Sequence, residues 1–401
     1  MDIKKYKEGL PYRFFFPFSL IGAVSAVSLW ILAYAAERGW ISPLKNPYPV
    51  QHHILLISSL FLLPALKGFL FTAIPRFTGT DFLGFYSIGL LLSLQILISV
   101  LALFFENAFL FYFLLNLDFL LLLGFVVIRF SKAKGKLSEY LYFIPAGLFL
   151  GTVGSVFLSI SRIREDISLF HYGKELIVYG MIPCAVFGAG IRIVNMILNR
   201  ENPEKRSVWM QKAESIQNGR IFSLIFVFFS LSESAVFYLF SLEYSVFFRT
   251  LRFLICIFLF IRYFQIFDLS MYKGRLSFLI LISLYSFLLG LAGHAWGGAY
   301  SVHMVHLYLI SGLSLFIAGI MTRVVFSHEG LNLDLEKNSS VFLWVAVLFL
   351  LAALTRASAV FMPSLMISHF AYASFLFILG LLIWIIFTLK NIFLKRNNFL
   401  K

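Results

Sequence analysis

The feature that most limits what this chain can fold into is a succession of apolar runs, each long enough to cross a bilayer. About 20 apolar residues in a helix span the hydrocarbon core. Runs of that length fall at 14–36, 50–74, 83–104, 108–130, 141–161, 171–197, 219–240, 243–268, 276–298, 301–326, 341–361 and 365–390. The breaks carry Pro, Gly or charge: Pro43 to Pro49, Pro75 to Gly84, Lys132 to Lys136, Asn202 to Lys212, Lys273 to Arg275, and His328 to Ser340. The shortest breaks are near Glu106 and Glu243. The expected fold is therefore all-α: a polytopic membrane protein, a bundle of about twelve transmembrane helices, with 1–401 as a single transmembrane domain. Composition agrees, because a chain that is 60% hydrophobic and 13% charged has too much apolar surface for a soluble domain.

The longest connection, 198–218, is polar and basic and is read as a cytoplasmic loop with room for a short surface helix. Orientation follows from Lys and Arg. With residues near the span ends counted with the adjacent connection, 24 of the 33 fall at the N-terminus, in even-numbered connections and at the C-terminus, against 6 in odd-numbered connections. Both termini are thus expected in the cytoplasm. This bias accounts for the net charge of +14 without nucleic acid as a partner; membrane lipid is the expected surroundings. The N-terminal MDIKKYKEGLPYRFFF reads as the approach to a first helix, with no cleaved signal. Cys184 and Cys256 lie inside apolar runs without CxxC spacing, which argues against a disulfide framework or a zinc knuckle.

The orientation sorts the histidines. His52 and His53 open helix 2 from outside, and His171 opens helix 6. His294 lies near the outer end of helix 9, His303 and His306 begin helix 10, and His369 lies just inside the outer end of helix 12. Seven of the eight histidines are thus expected near the outer face; His328 is cytoplasmic. Neutral imidazole is the common ligand for haem iron, copper and zinc. Histidines three apart in a helix project from one face, so His303 and His306 can serve one metal or two neighbouring cofactors. The plainer alternative is a pair of interfacial histidines satisfied by water and backbone.

Charges inside spans are costly and are functional candidates. Arg249 and Arg252 in helix 8 and Arg356 in helix 11 lie at the depth of the histidines. They suit the carboxylates of haem propionates; the alternative is snorkelling to the headgroups, with Glu233 as a partner. Lys67 and Asp118 lie within helices 2 and 4, where a proton route competes with snorkelling or a local salt bridge.

Helix 2 closes as Gly68-Phe69-Leu70-Phe71-Thr72-Ala73-Ile74-Pro75-Arg76-Phe77-Thr78-Gly79. This resembles the GF-x-x-TA-x-P-x-aromatic-TG stretch of the NnrS family of bacterial membrane proteins. His306, Gly312, Gly319, Met321, Thr322, Arg323, His328 and Gly330 resemble its second signature, in which a His opens the helix and M-T-R then H-x-G close it. Gly190-Ile191-Arg192 is similar to a weaker G-x-R element but lacks the proline expected soon after it, and Arg356 matches an arginine expected in helix 11. The chain departs where the family usually opens helix 2 with W-H-x-H-E: here stand Val50-Gln51-His52-His53-Ile54-Leu55. His53 matches the first histidine by its distance to Gly68, the second is absent or replaced by His52, and the acid is missing.

The resemblance implies a multi-pass protein of the bacterial cell inner membrane that contains haem and copper. It also implies a part in denitrification and in protection against nitric oxide, with nitric oxide or another diatomic as ligand. The candidate ligands are His53, His303, His306, His52, His294, His369 and His171, with the division between haem and copper left open. Arg356, Arg249 and Arg252 are the candidates for supporting the cofactors. Gly68, Pro75, Gly79, Arg323 and His328 form the structural motif. Two further readings are a redox enzyme related to haem–copper oxidases or nitric oxide reductases, fed by an electron donor, and a cofactor-free transporter whose histidines gate substrate or protons. The oxidase pattern of two histidines separated by one residue on a late helix is absent.

Overall fold

The computed structural model describes residues 10–46, 49–104, 109–198, 218–239 and 242–399. Among these residues there are helices and no strands. Twelve long helices follow in chain order: α1 (Tyr12–Glu37), α2 (Val50–Thr78), α3 (Phe85–Phe104), α4 (Phe109–Ser131), α5 (Glu139–Arg164) and α6 (Ile167–Leu198). Then come α7 (Gly219–Leu239), α8 (Leu242–Phe264), α9 (Arg275–Trp296), α10 (Ser301–Glu329), α11 (Val341–Phe361) and α12 (Pro363–Ile392). Eleven are long and apolar enough to cross a membrane. The exception, α8, matches the others in length but carries Arg249, Arg252 and Arg262. The expected all-α polytopic architecture is the observed one. The surface helix expected in 198–218, apart from its two end residues, and the short breaks at 105–108 and 240–241 lie outside the described residues.

Helix ends follow local chemistry. At the end of α2, Pro75 is followed by Gly79 in the left-handed region, φ 64°, which closes the helix where a side chain would be strained. Gly330 does the same for α10 at φ 62°. His171 was expected to open helix 6, but α6 begins four residues earlier. The Asp166 carboxylate accepts from the backbone N–H of Ser168 at 2.8 Å and caps the helix there. Between α8 and α9, the Tyr272 hydroxyl donates to the Phe264 carbonyl at 2.6 Å. Burial pushes its phenol pKa up, so it remains a donor.

Three helices, each four along from the last, share one irregularity. α2, α6 and α10 each widen into a π-helical turn: Ile57–Leu62, Leu176–Met181 and Leu307–Ser314. Each turn begins about one helical turn after a histidine, namely His53, His171 and His303. A π-turn inserts a residue and is frequent at functional sites.

The chain divides into two compact units. Unit 1 comprises Met1–Ala26, Gln51–Ile191 and Gln211–Arg252; unit 2 comprises Val27–Val50, Arg192–Met210 and Phe253–Lys401. In unit 1 the start of α1 lies along α2. Ser19 donates to the Phe61 carbonyl at 2.8 Å, and the backbone N–H of Tyr12 donates to Thr72 Oγ1 at 3.2 Å. In unit 2, α9 and α10 approach so closely that a Cβ on Gly290 would lie 2.4 Å from the backbone nitrogen of Tyr308. Small residues at such crossings let helices pack by van der Waals contact where lipid removes the hydrophobic drive. Phe349 of α11 stacks on Phe377 of α12 at 4.7 Å, and Trp384 donates to Thr322 at 2.8 Å, tying α12 to α10.

Candidate functional site

Six of the eight histidines fall into two chemical groups, set by what holds Nδ1 or Nε2. A backbone carbonyl can only accept, so a ring nitrogen bonded to one carries the proton. In unit 1, His53 Nδ1 donates to the Ala26 carbonyl at 3.0 Å, and its neighbour His52 donates from Nε2 to the Ala102 carbonyl at 2.9 Å. In unit 2, His306 Nδ1 donates to the Val302 carbonyl at 2.9 Å, and His369 Nδ1 to the Thr355 carbonyl at 3.2 Å. Ser358 lies 3.2 Å from the same His369 nitrogen and itself donates to Thr355 O at 3.0 Å. In the neutral ring the lone pair then falls on Nε2 of His53, His306 and His369, and on Nδ1 of His52. Metal-bound histidines use this arrangement: one nitrogen donates to a carbonyl and the other ligates.

The second group faces cations. A guanidinium or ammonium can only donate, so the nitrogen it touches presents its lone pair to it. Arg356 Nη1 donates to His303 Nδ1 at 3.0 Å. Its guanidinium also stacks 3.6 Å from the centre of the Phe370 ring, which Trp30 meets edge-on at 4.8 Å. His171 Nδ1 lies 3.4 Å from Lys174 Nζ. His303 and His171 are thus tautomers with the proton on Nε2 and fit a metal less well than the first group. His294 is buried near the end of α9, at 4% exposure.

The intramembrane charges also find partners. Arg249 Nε lies 3.1 Å from Glu233 Oε1, and Arg252 pairs with both oxygens of the same carboxylate. Arg252 also lies 5.0 Å from the ring centre of Tyr179, in the π-turn of α6. Of the two expectations for these arginines, snorkelling is replaced by a buried carboxylate partner inside unit 1. At the other end of α10, Arg323 Nη1 donates to Glu336 Oε2 at 2.9 Å. Glu336 belongs to the short helix Asp334–Asn338, so this acid braces the connection. His328 lies half-buried on the last turn of α10. Lys67 does not snorkel: it is fully buried and paired with Asp118 at 2.5 Å.

The two cysteines are free and buried, and the candidate ligands named above are imidazoles. Imidazole suits haem iron and copper, as it does zinc. The residues present therefore fit the groups that the sequence resemblance implies.

The family model described as NnrS protein matches residues 9–396. The chain belongs to the NnrS family. The match covers both signature helices, α2 and α10, and nearly every other described helix. Among curated proteins, none matches the chain. Membership makes it a membrane protein related to the nitric oxide response. Sequence reasoning named the histidines and arginines but did not see the π-turns. One inserted residue leaves an apolar run looking like any other, so no signal in the run could have marked them.

Proposed function

We propose that this NnrS-family chain is a haem- and copper-binding protein of the bacterial inner membrane that meets nitric oxide. Carbonyl-anchored histidines supply its ligands: His306 and His369 in unit 2, His53 and His52 in unit 1. Haem iron and copper, when bound, supply affinity for a diatomic ligand and the capacity to exchange an electron. The protein's part is to hold the imidazoles in one tautomer and one orientation. The Ala26, Ala102, Val302 and Thr355 carbonyls do this by accepting the other ring proton. Arg356, clamped on Phe370, brings a fixed positive charge beside His303 and suits a cofactor carboxylate.

The observation that carries the reading is the repeated histidine-to-carbonyl hydrogen bond at helix ends, two of which, in α2 and α10, run on into π-turns. The experiment is the optical spectrum and copper content of the purified, folded protein. A Soret band together with copper is expected. A colourless, copper-free protein from haem- and copper-replete cells would favour the transporter reading. Turnover with an electron donor would add the redox-enzyme activity.

A further inference from the structure

Unit 1 holds a second ionisable centre, built without histidine. Lys67, Gln95 and Asp118 are each fully buried and come from α2, α3 and α4. Each lies at least nine residues from either end of its helix, about 13 Å at 1.5 Å per residue. Lys67 Nζ donates to Gln95 Oε1 at 2.7 Å and lies 2.5 Å from Asp118 Oδ2. Gln95 is itself fixed. Its amide nitrogen donates to the Ser59 carbonyl at 2.8 Å, inside the π-turn of α2, and to Ser99 Oγ at 3.3 Å. Because Ser59 O can only accept, the Gln95 oxygen must face Lys67.

The support is lopsided. The ammonium has three partners: Asp118, Gln95 and, at 5.9 Å, the face of Phe15 from α1. The carboxylate has one, and Asp118 Oδ1 accepts no hydrogen bond among the described residues. No other ionisable side chain among them ion-pairs with the cluster. A purely structural pair has its remaining lone pairs satisfied. Here the ammonium keeps two partners without Asp118, but among the described residues the carboxylate keeps none without Lys67.

We propose that Asp118, held by Lys67 and Gln95, is a proton-binding site in the middle of the membrane-spanning part of unit 1. It alternates between an ionised pair with Lys67 and a neutral carboxyl beside the lysine ammonium. The proton arrives from water as hydronium. An O–H bond forms at Asp118 Oδ1, an O–H bond of the hydronium breaks, and water leaves. No electron moves, and the net charge of the cluster rises from zero to +1. Gln95 and Phe15 carry that charge while the carboxyl is neutral. Ionisable groups at this depth serve proton relays in pumps and transporters. The site stands independently of the haem and copper reading.

The test is infrared spectroscopy of protein labelled with carboxyl-carbon-13 aspartate, folded in lipid nanodiscs, stepped from roughly pH 9 to 5. That window lies above the ~4 of an exposed aspartate, so surface groups stay ionised. The expected result is a carboxylic-acid C=O band that grows as pH falls and is lost in Asp118→Asn. Gln95→Leu removes support for the ammonium and shifts the midpoint to lower pH. Lys67→Met leaves a lone buried carboxyl, and the band is present at every pH. The double change Lys67→Met with Asp118→Leu removes both charges and is expected to fold, since apolar replacement of a buried pair is tolerated; it abolishes the band. Folded wild-type protein with no such band, or with a band that does not change with pH, would overturn the proposal.

Discussion

Arg323 illustrates how a single buried charge sets a local structure. Its guanidinium is paired with Glu336, and both side chains are largely buried. Removing one partner of a buried pair strands the other, at a cost of roughly 3–5 kcal/mol. Glu336→Leu is therefore expected to lower the thermal midpoint sharply. Arg323→Met combined with Glu336→Leu recovers most of the loss, and a melting curve in detergent decides it. Equal loss in the double variant would mean that the pair is not the brace. The family signature placed Arg323 and His328 at the inner end of α10 from the chain alone. The partner was not legible, because Glu329 and Glu336 are both acids near the helix end and only the short helix Asp334–Asn338 selects one. Lys67 and Asp118 posed the same difficulty on a larger scale. They are 51 residues apart in the chain, and nothing in an apolar run says which neighbouring run it packs against.

At the scale of elements, helix positions were well marked because Pro, Gly and charge interrupt apolar runs. The run at 83–104 became Phe85–Phe104, and that at 341–361 became Val341–Phe361. Helix starts fixed by a cap were missed by up to one turn, as at Asp166. Close crossings were not legible either, since a glycine in an apolar run looks the same whether it faces lipid or a helix. Gly290 and Gly89 make the contrast. A Cβ on Gly290 meets the backbone of Tyr308, whereas a Cβ on Gly89 meets nothing within 4 Å. Overpacking of a tight contact costs about 1–3 kcal/mol. Gly290→Ala is expected to lower stability by that amount and Gly89→Ala to leave it unchanged. Equal melting temperatures for the two variants would contradict the close α9–α10 crossing.

At the scale of the whole molecule, the basic bias predicts an orientation with both termini inside. Reporter fusions at positions 135, 205 and 335 are expected to read cytoplasmic, and one at 298 external. An external signal at 205 would reverse the orientation and with it the face expected for the histidine-bearing helix ends. Carbonyl-anchored histidines are proposed to hold the cofactors. His328 lies at the opposite end of α10; His306 and His328 are 22 residues apart, about 33 Å along a helix. The most direct measurement is haem and copper per folded protein in His306→Ala, His53→Ala, His303→Ala, Arg356→Ala and His328→Ala. The expected order of loss is His306, then His53, then His303, whose lone pair faces Arg356. Arg356→Ala is milder, since changes outside the ligand shell cost about 10–100-fold in affinity. His328→Ala retains full haem and copper. Folded His306→Ala protein that keeps both cofactors in full, or His328→Ala protein that loses them, would contradict the account.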